Sequence, residues 1–315
     1  MTNKPAIIVT GADLAPEALA LLGDYEIVFA GKTPQTADLV ALARQHNPVG
    51  MIVRYGSVTA EVMDAAPALK VISKHGTGTD TIDKAAAAAR GITVTAAAGA
   101  NAAAVAEHAL ALMLACAKSV VQLDARMHAG HWDKATHKSL ELNGLTVGLV
   151  GLGAIGRRFA RMCDAIGMRV IGFDPFATDL PDYIEAVPLA TVWEASDVIS
   201  LQCPLTAENK EMVNATTLAR CKPGVIIINT ARGGLIDEAA LLEAVQSGRV
   251  AAAGLDSFAR EPMSSPHIFQ GQPGFVLSPH IGGVTSAAYV NMGIAAATNT
   301  IAVLEKVHEA AAGQH

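Results

Sequence analysis

The first 95 residues alternate between short apolar runs and longer segments typical of helices. The apolar runs lack the polar alternation of a half-exposed strand, so they are typical of parallel strands buried on both faces. The pattern predicts strands at 6–9, 26–29, 49–53, 71–73 and 92–94, with helices near 14–22, 36–45, 59–65 and 80–90.

The same alternation returns after residue 145. It predicts strands at 147–150, 169–173, 198–201, 225–229, 251–255 and 275–277, with helical segments between most of them. Residues 101–128 contain good helix formers and no glycine or proline, which is typical of long helices that join the two units, and residues 286–308 predict a closing helix. Two doubly wound units are expected to place a ligand cleft between the carboxyl edges of their sheets.

A glycine-rich turn opens the second unit. The strand at 147–150 runs into Gly151, Gly153 and Gly156, and a helical segment and a second strand lead to Asp174. This order of strand, glycine turn, helix, strand and acid is the dinucleotide-binding fingerprint. The first glycine allows a tight turn, the second lets the backbone approach a pyrophosphate, and the third lets the helix lie close to the sheet. The alternative is a glycine-rich turn in an unrelated α/β protein.

Asp174 bears on which dinucleotide is bound. Its carboxylate would accept hydrogen bonds from the adenosine ribose, whereas a 2′-phosphate there would face a like charge. The next three residues, Pro175 to Ala177, supply no cation to neutralise that phosphate. The sequence therefore favours NAD(H) over NADP(H); the alternative is an acid that merely ends a strand.

Composition narrows the class of protein. The chain has 315 residues, of which 51% are hydrophobic, enough for two domains with separate cores. Its net charge is −6 with no basic block, which disfavours nucleic-acid binding. No signal-like apolar segment opens the chain, and no apolar run of membrane-spanning length is free of charge or glycine. No membrane association is therefore expected.

The cysteines indicate the compartment. They are scattered, without a Cys-x-x-Cys pair or metal-ligand spacing, so they are interpreted as reduced thiols of a cytoplasmic protein. They are Cys116, Cys163, Cys203 and Cys221. Three histidines near residues 128–137 could suggest a metal, but they have no fitting Cys or Asp ligands, and no metal is predicted.

Three segments of the second unit follow apolar strands and carry candidate chemistry: residues 228–237, 253–262 and 278–285. They bring Arg232, Glu261 and His280 to the carboxyl ends of strands, where they are candidates to converge beside a nicotinamide. Reduction of a 2-keto acid needs a proton donor at the carbonyl oxygen and a cation for the substrate. Arg232 can bind a carboxylate, His280 titrates near neutral pH, and Glu261 can orient the imidazolium.

Together with these segments, the chain resembles the D-isomer-specific 2-hydroxyacid dehydrogenases over nearly its whole length. That family includes phosphoglycerate, hydroxypyruvate/glyoxylate and D-lactate dehydrogenases. The other segments that carry the resemblance are residues 52–57, 74–80, 107–112, 130–132, 151–156 and 203–206.

The resemblance implies roles for individual residues. The family's catalytic Arg, Glu and His correspond to Arg232, Glu261 and His280. Beyond the three glycines, implied cofactor contacts are Ala154, Ile155, Asp174, Cys203, Pro204, Thr230, Ala231, Asp256, Gly282 and Thr77. Implied substrate-binding residues are Arg54, Ser57, Lys74, His75 and Gly76, with the backbone near His75 and Gly76 holding the carboxylate.

The resemblance also implies a larger architecture. The expected fold class is α/β, with a Rossmann NAD-binding domain (100–284) inserted in a flavodoxin-like substrate-binding domain (1–99 and 285–315), and a homodimer assembled through the NAD-binding domain. The chain stops soon after its closing helix, so no C-terminal regulatory domain is expected. Gln202 departs from the histidine that many members carry, which would alter a cofactor-side hydrogen bond.

Several assignments stay open at this level. Lys74 and Arg54 either bind an anionic group on the substrate or are ordinary solvated charges. His75 contacts substrate or is incidental, and His108 caps or bridges rather than catalyses. Candidate substrates with an anionic group include 3-phosphoglycerate and sulfolactate-like acids, beside hydroxypyruvate and glyoxylate. The alternatives to a 2-hydroxyacid dehydrogenase are an NAD-sensing, corepressor-like binding protein and a phosphite- or formate-type dehydrogenase of the same fold.

Overall fold

The computed structural model describes residues 4–312 and divides the chain into two compact units. Unit 1 is Met1–Asn101 with Val284–His315, and unit 2 is Ala102–Gly283. The predicted domain boundaries lie within two residues of these divisions. The ends of the predicted substrate-binding domain, residues 1–3 and 313–315, lie outside the described residues.

Unit 1 is built on a parallel sheet with helices in the connections. In chain order its first elements are β1 (Ala6–Val9), α1 (Pro16–Leu21), β2 (Glu26–Phe29), α2 (Thr36–His46), β3 (Gly50–Val53), α3 (Ala60–Asp64), β4 (Val71–Lys74), α4 (Lys84–Ala89) and β5 (Thr93–Ala96). The strand order is β2-β1-β3-β4-β5, the flavodoxin-like order of doubly wound folds.

Unit 2 begins with two helices and continues as a larger parallel sheet. Its elements are α5 (Ala102–Lys118), α6 (Val120–His128), β6 (Thr146–Val150), α7 (Ala154–Ala165), β7 (Arg169–Phe173), β8 (Ile184–Ala186), α8 (Leu189–Ala195), β9 (Val198–Leu201), α9 (Ala215–Arg220), β10 (Val225–Asn229), a 3-10 turn (Gly233–Leu235), α10 (Glu238–Gln246), β11 (Val250–Leu255) and β12 (Phe275–Leu277). The order is β12-β11-β10-β9-β6-β7-β8. This is the Rossmann order with one added strand, and it reverses between β6 and β9.

Alternate residues of the strands enter different hydrophobic cores. In β10, Ile226 and Ile228 belong to one cluster, while Val225 and Ile227 belong to a second cluster on the other face of the sheet. In unit 1, Ile8 and Ile7 of β1 divide in the same way. Both faces of each sheet are therefore buried, which is the physical reason for the unbroken apolar runs in the sequence. The prediction of two parallel, doubly wound sheets is confirmed.

The chain returns to unit 1 in the closing helix α11 (Ser286–Ala312). This helix lies against α1 and against β3, β4 and β5, and buries Ala296, Ala297 and Thr300. Its segment Ser286–Ala310 has the length and apolar composition of a membrane span, and α5 and α6, bent by 61°, pass the same criterion as a pair. Core helices of soluble proteins also meet this criterion, and α11 packs on α1 and on three strands of unit 1.

Two local features were not predicted. The helical segment 101–128 is divided into α5 and α6, where Ser119 takes a left-handed conformation (φ 52°). The strand β8 was not predicted, since two of its three residues are exposed and it has no apolar run. The four cysteines form no disulfide in the described part of the chain.

Candidate active site

The glycine turn follows β6, beside the point where the strand order of unit 2 reverses. Gly151 has φ 104°, and a Cβ there would lie 2.5 Å from the carbonyl oxygen of Gln202, so only glycine is accommodated. A Cβ on Gly156 would lie 2.2 Å from the carbonyl oxygen of Gly151, so α7 packs directly on the turn. Among the described residues other than its chain neighbours, none has a heavy atom within 4 Å of a Cβ built on Gly153, the residue that precedes α7. Open space above free helix N–H groups fits a dinucleotide pyrophosphate.

Asp174 joins the end of β7 to the glycine turn. Its Oδ2 accepts a hydrogen bond from the amide of Leu152 at 2.8 Å, and its Oδ1 accepts one from the amide of Phe176 at 2.9 Å. The carboxylate therefore fixes the turn in addition to any contact with a ribose. Because an ionised carboxylate has about four acceptor positions, capacity for ribose hydroxyls remains.

Arg157, in the first turn of α7, was not predicted as a site residue. Its guanidinium donates to the carbonyl oxygens of Leu152 at 2.9 Å, Thr178 at 2.6 Å and Asp179 at 3.0 Å. It thereby fastens the segment after Asp174 to the glycine turn. Because this guanidinium already donates to three carbonyl oxygens, we do not expect Arg157 to bind a 2′-phosphate beside Asp174.

The ends of β9 and β10 carry the next predicted cofactor contacts, Cys203, Pro204, Thr230 and Ala231. Burial raises the pKa of Cys203 to about 11, although its backbone hydrogen bond acts in the opposite direction, so the thiol is neutral. The side-chain amide of Gln202 donates to Ser200 Oγ at 2.9 Å and to Thr230 Oγ1 at 3.1 Å. Where the family commonly has histidine, Gln202 thus ties the two strand ends together.

His280 and Glu261 form the centre of the predicted catalytic trio. Nδ1 of His280 lies 2.6 Å from Oε2 of Glu261, and Oε1 of Glu261 accepts a hydrogen bond from the amide of Phe258 at 3.0 Å. With Nδ1 engaged by the carboxylate, Nε2 is the ring nitrogen that can exchange a proton with a substrate.

The charges around this pair favour its ionised form. The hydrogen bond that His280 donates to Glu261 raises the pKa of His280 against the effect of burial, and the charges of Glu261 and Asp256 raise it further, while the charge of Arg232 lowers it. Burial acts to raise the pKa of Glu261. The hydrogen bonds from His280 and Phe258, with the charges of His280 and Arg232, outweigh burial and lower that pKa. Arg232 is therefore close enough to act electrostatically on both partners.

The position of Arg232 depends on two residues that were not predicted. The buried side chain of Asn229 donates to the carbonyl oxygen of Arg232 at 2.9 Å and accepts from the amide of Ala231 at 3.0 Å, which closes the turn after β10. A Cβ on Gly233 would lie 1.8 Å from the carbonyl carbon of Phe258. The loop that carries Arg232 thus touches the backbone of the loop that carries Glu261. The only sign of this close approach in the sequence is the pair of glycines that follows Arg232.

Asp256 organises the segment that carries His280. It is 2% exposed, and its carboxylate accepts hydrogen bonds from Ser278 Oγ at 2.6 Å and from the amides of Ile281 at 2.9 Å and Gly282 at 2.8 Å. A Cβ on Gly282 would lie 2.9 Å from the same carboxylate. Asp256 and Gly282, predicted as cofactor contacts, therefore also build the loop beneath His280.

The predicted substrate residues lie in unit 1, after β3 and β4. Arg54 forms an ion pair with Asp13 and also donates to the Asp13 carbonyl oxygen at 2.6 Å. Its guanidinium carbon lies 5.3 Å from the ring centre of Tyr55 and 5.0 Å from that of Tyr289, and the hydroxyl of Tyr289 donates to Asp13 at 2.9 Å. Asp13 and Tyr289 were not predicted, although Asp13 follows β1 at the same sheet edge.

Lys74 and His75 adjoin this cluster. The amino group of Lys74 donates to the carbonyl oxygen of Arg54 at 3.0 Å. His75 is 8% exposed, its Nε2 is buried without a hydrogen-bond partner among the described residues, and its ring centre lies 5.6 Å from that of Tyr289. Burial, together with the charge of Arg54, lowers the pKa of His75 to about 4, so it is neutral. Gly76 follows with φ 144°, and Ser57 and Thr77 are exposed.

The fold and this site define a dinucleotide-binding α/β protein with an imidazole–carboxylate pair and a neighbouring arginine. Residues 110–282 match the model of the D-isomer specific 2-hydroxyacid dehydrogenase, NAD binding domain. A hydroxypyruvate reductase of Thermotoga maritima is 43% identical over 249 residues, which cover 78% of this chain and 81% of that relative. The chain belongs to the D-isomer specific 2-hydroxyacid dehydrogenase family.

Other relatives agree with this membership. A D-3-phosphoglycerate dehydrogenase of Mycobacterium leprae is 38% identical over 286 residues, covering 90% of this chain and 54% of that protein. The chain thus spans about half the length of the phosphoglycerate dehydrogenases it matches. A crystal structure of a protein from Thermus thermophilus superposes with a TM-score of 0.88 at 36% identity, covering 96% of this chain and 97% of the other.

Proposed function

We propose that the protein is an NAD-dependent oxidoreductase that transfers a hydride between NAD(H) and a small D-2-hydroxy acid or its 2-keto acid. The observation that carries the proposal is the 2.6 Å contact between His280 and Glu261, in the unit that also carries the glycine turn. The imidazole of His280 is oriented by the carboxylate of Glu261, and the charge of Arg232 acts on both. Such a group can transfer a proton to or from an oxygen that neighbours the carboxylate of a substrate.

His280, Glu261 and Arg232 have separate roles in the proposed reaction. When bound, NAD supplies or accepts the hydride. In reduction, the imidazolium of His280 donates its Nε2 proton to the carbonyl oxygen, where negative charge develops. Glu261 keeps Nδ1 protonated and the ring oriented, and Arg232 binds the substrate carboxylate through its paired donors. In oxidation, neutral His280 accepts the hydroxyl proton.

The cofactor contacts, apart from Thr77 of unit 1, come from unit 2. The turn at Gly151 and Gly153 with the N-terminus of α7, including Ala154 and Ile155, takes the pyrophosphate, and Asp174 takes the ribose hydroxyls. The residues at the strand ends, Cys203, Pro204, Thr230 and Ala231, line the same edge of the sheet. Because Asp174 opposes a 2′-phosphate, NAD(H) is the preferred dinucleotide.

We also propose that Arg54, Ser57, Lys74, His75 and Gly76 take part in substrate binding, with Lys74 and Arg54 attracting an anionic group. The ion pair of Arg54 with Asp13 limits the preference for an anionic group, since the carboxylate offsets the charge of Arg54. Hydroxypyruvate, phosphohydroxypyruvate and sulfopyruvate are therefore ranked above bulky apolar keto acids. The names of the relatives from Thermotoga maritima and Mycobacterium leprae support the first two.

A homodimer through the NAD-binding domain belongs to the same proposal. The helix α6 buries none of its residues: its Val120, Val121 and Met127 are exposed, and Trp132 after it is 75% exposed. Met127 and Trp132 line the same pocket. Exposed apolar side chains grouped on one segment are typical of a protein interface. We place the protein in the cytoplasm, where its four unpaired cysteines would stay reduced.

The test is oxidation of NADH and of NADPH by purified protein with glyoxylate, pyruvate, hydroxypyruvate, phosphohydroxypyruvate, sulfopyruvate and branched keto acids. We expect turnover with NADH on a small or anionic member. His280→Ala should lower that turnover about 10²–10⁴-fold, the range of a positioned general acid, with NADH affinity nearly unchanged. NADH binding without turnover on any member, or unaltered turnover in His280→Ala, would contradict the proposal.

A further inference from the structure

A histidine outside the predicted trio is linked to the segment that carries His280. His108 lies on α5, and its Nε2 is 2.8 Å from Ser278 Oγ and 3.4 Å from Asp256 Oδ1. Its side chain is mostly buried. The ring also lies against Gly282, because a Cβ on that glycine would be 3.4 Å from Cδ2 of His108. Four groups therefore meet beneath the loop: an imidazole, a hydroxyl, a carboxylate and a glycine backbone.

Counting protons fixes the direction of these hydrogen bonds. Ser278 has a single hydroxyl hydrogen, and its short 2.6 Å contact with Asp256 Oδ1 requires that hydrogen, since a carboxylate only accepts. Ser278 Oγ must then accept from His108, so Nε2 of His108 carries a proton. The hydrogen bonds run from His108 to Ser278 and from Ser278 to Asp256.

The segment that these groups hold has an unfavourable backbone. His280 has φ 53°, the left-handed region that residues other than glycine seldom adopt. Its neighbours Ile281 and Gly282 are fixed by amide hydrogen bonds to Asp256. A residue in such a conformation persists where its surroundings hold it, and here they are Asp256, Ser278 and His108.

We propose that His108 is a positioning residue that, through Ser278 and Asp256, holds residues 278–282 so that the imidazole of His280 stays on Glu261. The proposal rests on the proposed function, in which His280 exchanges the substrate proton. His108 donates to the network from α5, whereas the carboxylate comes from the end of β11 and the hydroxyl from the loop after β12. It thereby ties α5 and the end of β11 to the loop that carries His280.

The consequence for proton transfer follows from the groups that act on His280. These are Glu261 from the loop after β11, Asp256 at the end of β11 and Arg232 from the loop after β10. Without the donor of His108, Ser278 and Asp256 lose an anchor and the contact between His280 and Glu261 loosens. The pKa of His280 then falls toward its ordinary value, because that contact is the main cause of its elevation.

The experiment compares His108→Ala with His108→Gln, whose amide nitrogen can replace Nε2 as a donor. The matched control is His308→Ala, which removes an exposed histidine on α11. An NMR titration of the His280 ring needs no substrate, and it is assigned by the signal that disappears in His280→Ala. Steady-state kinetics with NADH and the best keto acid give kcat and KM.

For His108→Ala we expect a lower pKa of His280 and a kcat reduced about 10-fold or more, as misplacement of a reacting group can cost up to about 100-fold. NADH affinity should change little. His108→Gln should recover most of both losses, and His308→Ala should match the parent protein. Should His108→Ala not fold, Ser278→Ala, which removes the same hydroxyl link, is expected to lower the pKa of His280 in its place.

An unchanged His280 titration and kcat in His108→Ala would overturn the proposal, as would His108→Gln behaving like His108→Ala. If the parent protein reduces no keto acid, the proposed function fails. The NMR titration still decides separately whether His108 positions His280.

Discussion

At the scale of single residues, His280 and Glu261 shift each other's pKa in opposite directions, and both shifts favour the ionised pair. The raised pKa of His280 stabilises the folded protein below the unfolded pKa, and this contribution is lost as pH rises through the folded value. The lowered pKa of Glu261 contributes above its unfolded pKa and is lost as pH falls through the folded value. Both members of the pair are therefore ionised only at pH values between the folded-state pKa of Glu261 and that of His280.

The first prediction uses this asymmetry. Reduction needs protonated His280, so its rate should fall as pH rises through the pKa of that group. Glu261→Gln removes the charge that raises this pKa, and the fall should move to lower pH with a loss of kcat. The measurement is kcat against pH for reduction, with the exposed Glu243→Gln as control. A pH profile that does not move in Glu261→Gln would show that Glu261 does not set the pKa of His280.

The second prediction concerns His75 in unit 1. Its pKa is lowered from 6.5 to about 4, so between these values the unfolded chain binds a proton that the folded chain excludes. The free energy of unfolding is therefore unaffected by His75 titration above pH 6.5 and decreases as pH falls below it. At about 1.4 kcal/mol per pKa unit, the decrease reaches about 3 kcal/mol at pH 4. His75→Phe keeps a ring beside Tyr289 and removes the titration.

The free energy of unfolding by denaturant, measured from pH 7 to 4.5, checks this expectation. The difference between the parent protein and His75→Phe should shift in favour of the variant as pH falls. Parallel curves for the two proteins would mean that His75 is accessible to protons in the folded state. His308→Phe, at an exposed histidine, should leave the slope of the parent unchanged.

At the scale of elements, the sequence predicts what depends on local pattern. Parallel strands buried on both faces must be apolar throughout, so their runs are visible, and the glycine turn is visible because Gly151 and Gly156 admit no side chain. The break at Ser119 gives no such signal, since nothing in residues 101–128 forbids a continuous helix. The exposed edge strand β8 lacks the apolar residues that mark the others.

The third prediction concerns Asp174, which follows β7 and accepts a hydrogen bond from the glycine turn between β6 and α7. Asp174→Asn removes the charge that opposes a 2′-phosphate, so discrimination against NADPH should decrease and NADH affinity should fall. Asp174 also accepts hydrogen bonds from the amides of Leu152 and Phe176, so the melting temperature of the variant without cofactor should be lower than that of the parent protein. Fluorescence titration with NADH and NADPH measures the preference. A variant that keeps the parent's NADPH-to-NADH affinity ratio would remove Asp174 from the ribose site.

At the scale of the whole molecule, the candidate catalytic residues were predictable because each follows a strand, and parallel strands end at one edge. The residues that hold them were not. Asn229 and Gly233 act through contacts between two loops, and Asp13 acts on Arg54 and Tyr289, which is distant in sequence. His108 was expected to cap or bridge, and the residue to which it hydrogen-bonds, Ser278, lies 170 positions away, which the sequence does not indicate. Such contacts depend on tertiary structure and leave little periodic signal.

The last prediction concerns assembly. A stable interface buries about 800 Å² per partner, and α6 with the residues after it offers an exposed apolar surface to a second copy. Val121, 56% exposed on α6, would be buried in a dimer, so Val121→Lys should place an uncompensated charge there. Sedimentation velocity should give twice the 32.4 kDa chain mass for the parent protein and the single mass for the variant. Leu21→Lys, at an exposed leucine of unit 1, should remain dimeric. A monomeric parent, or a Val121→Lys dimer as stable as the parent, would exclude α6 as the interface.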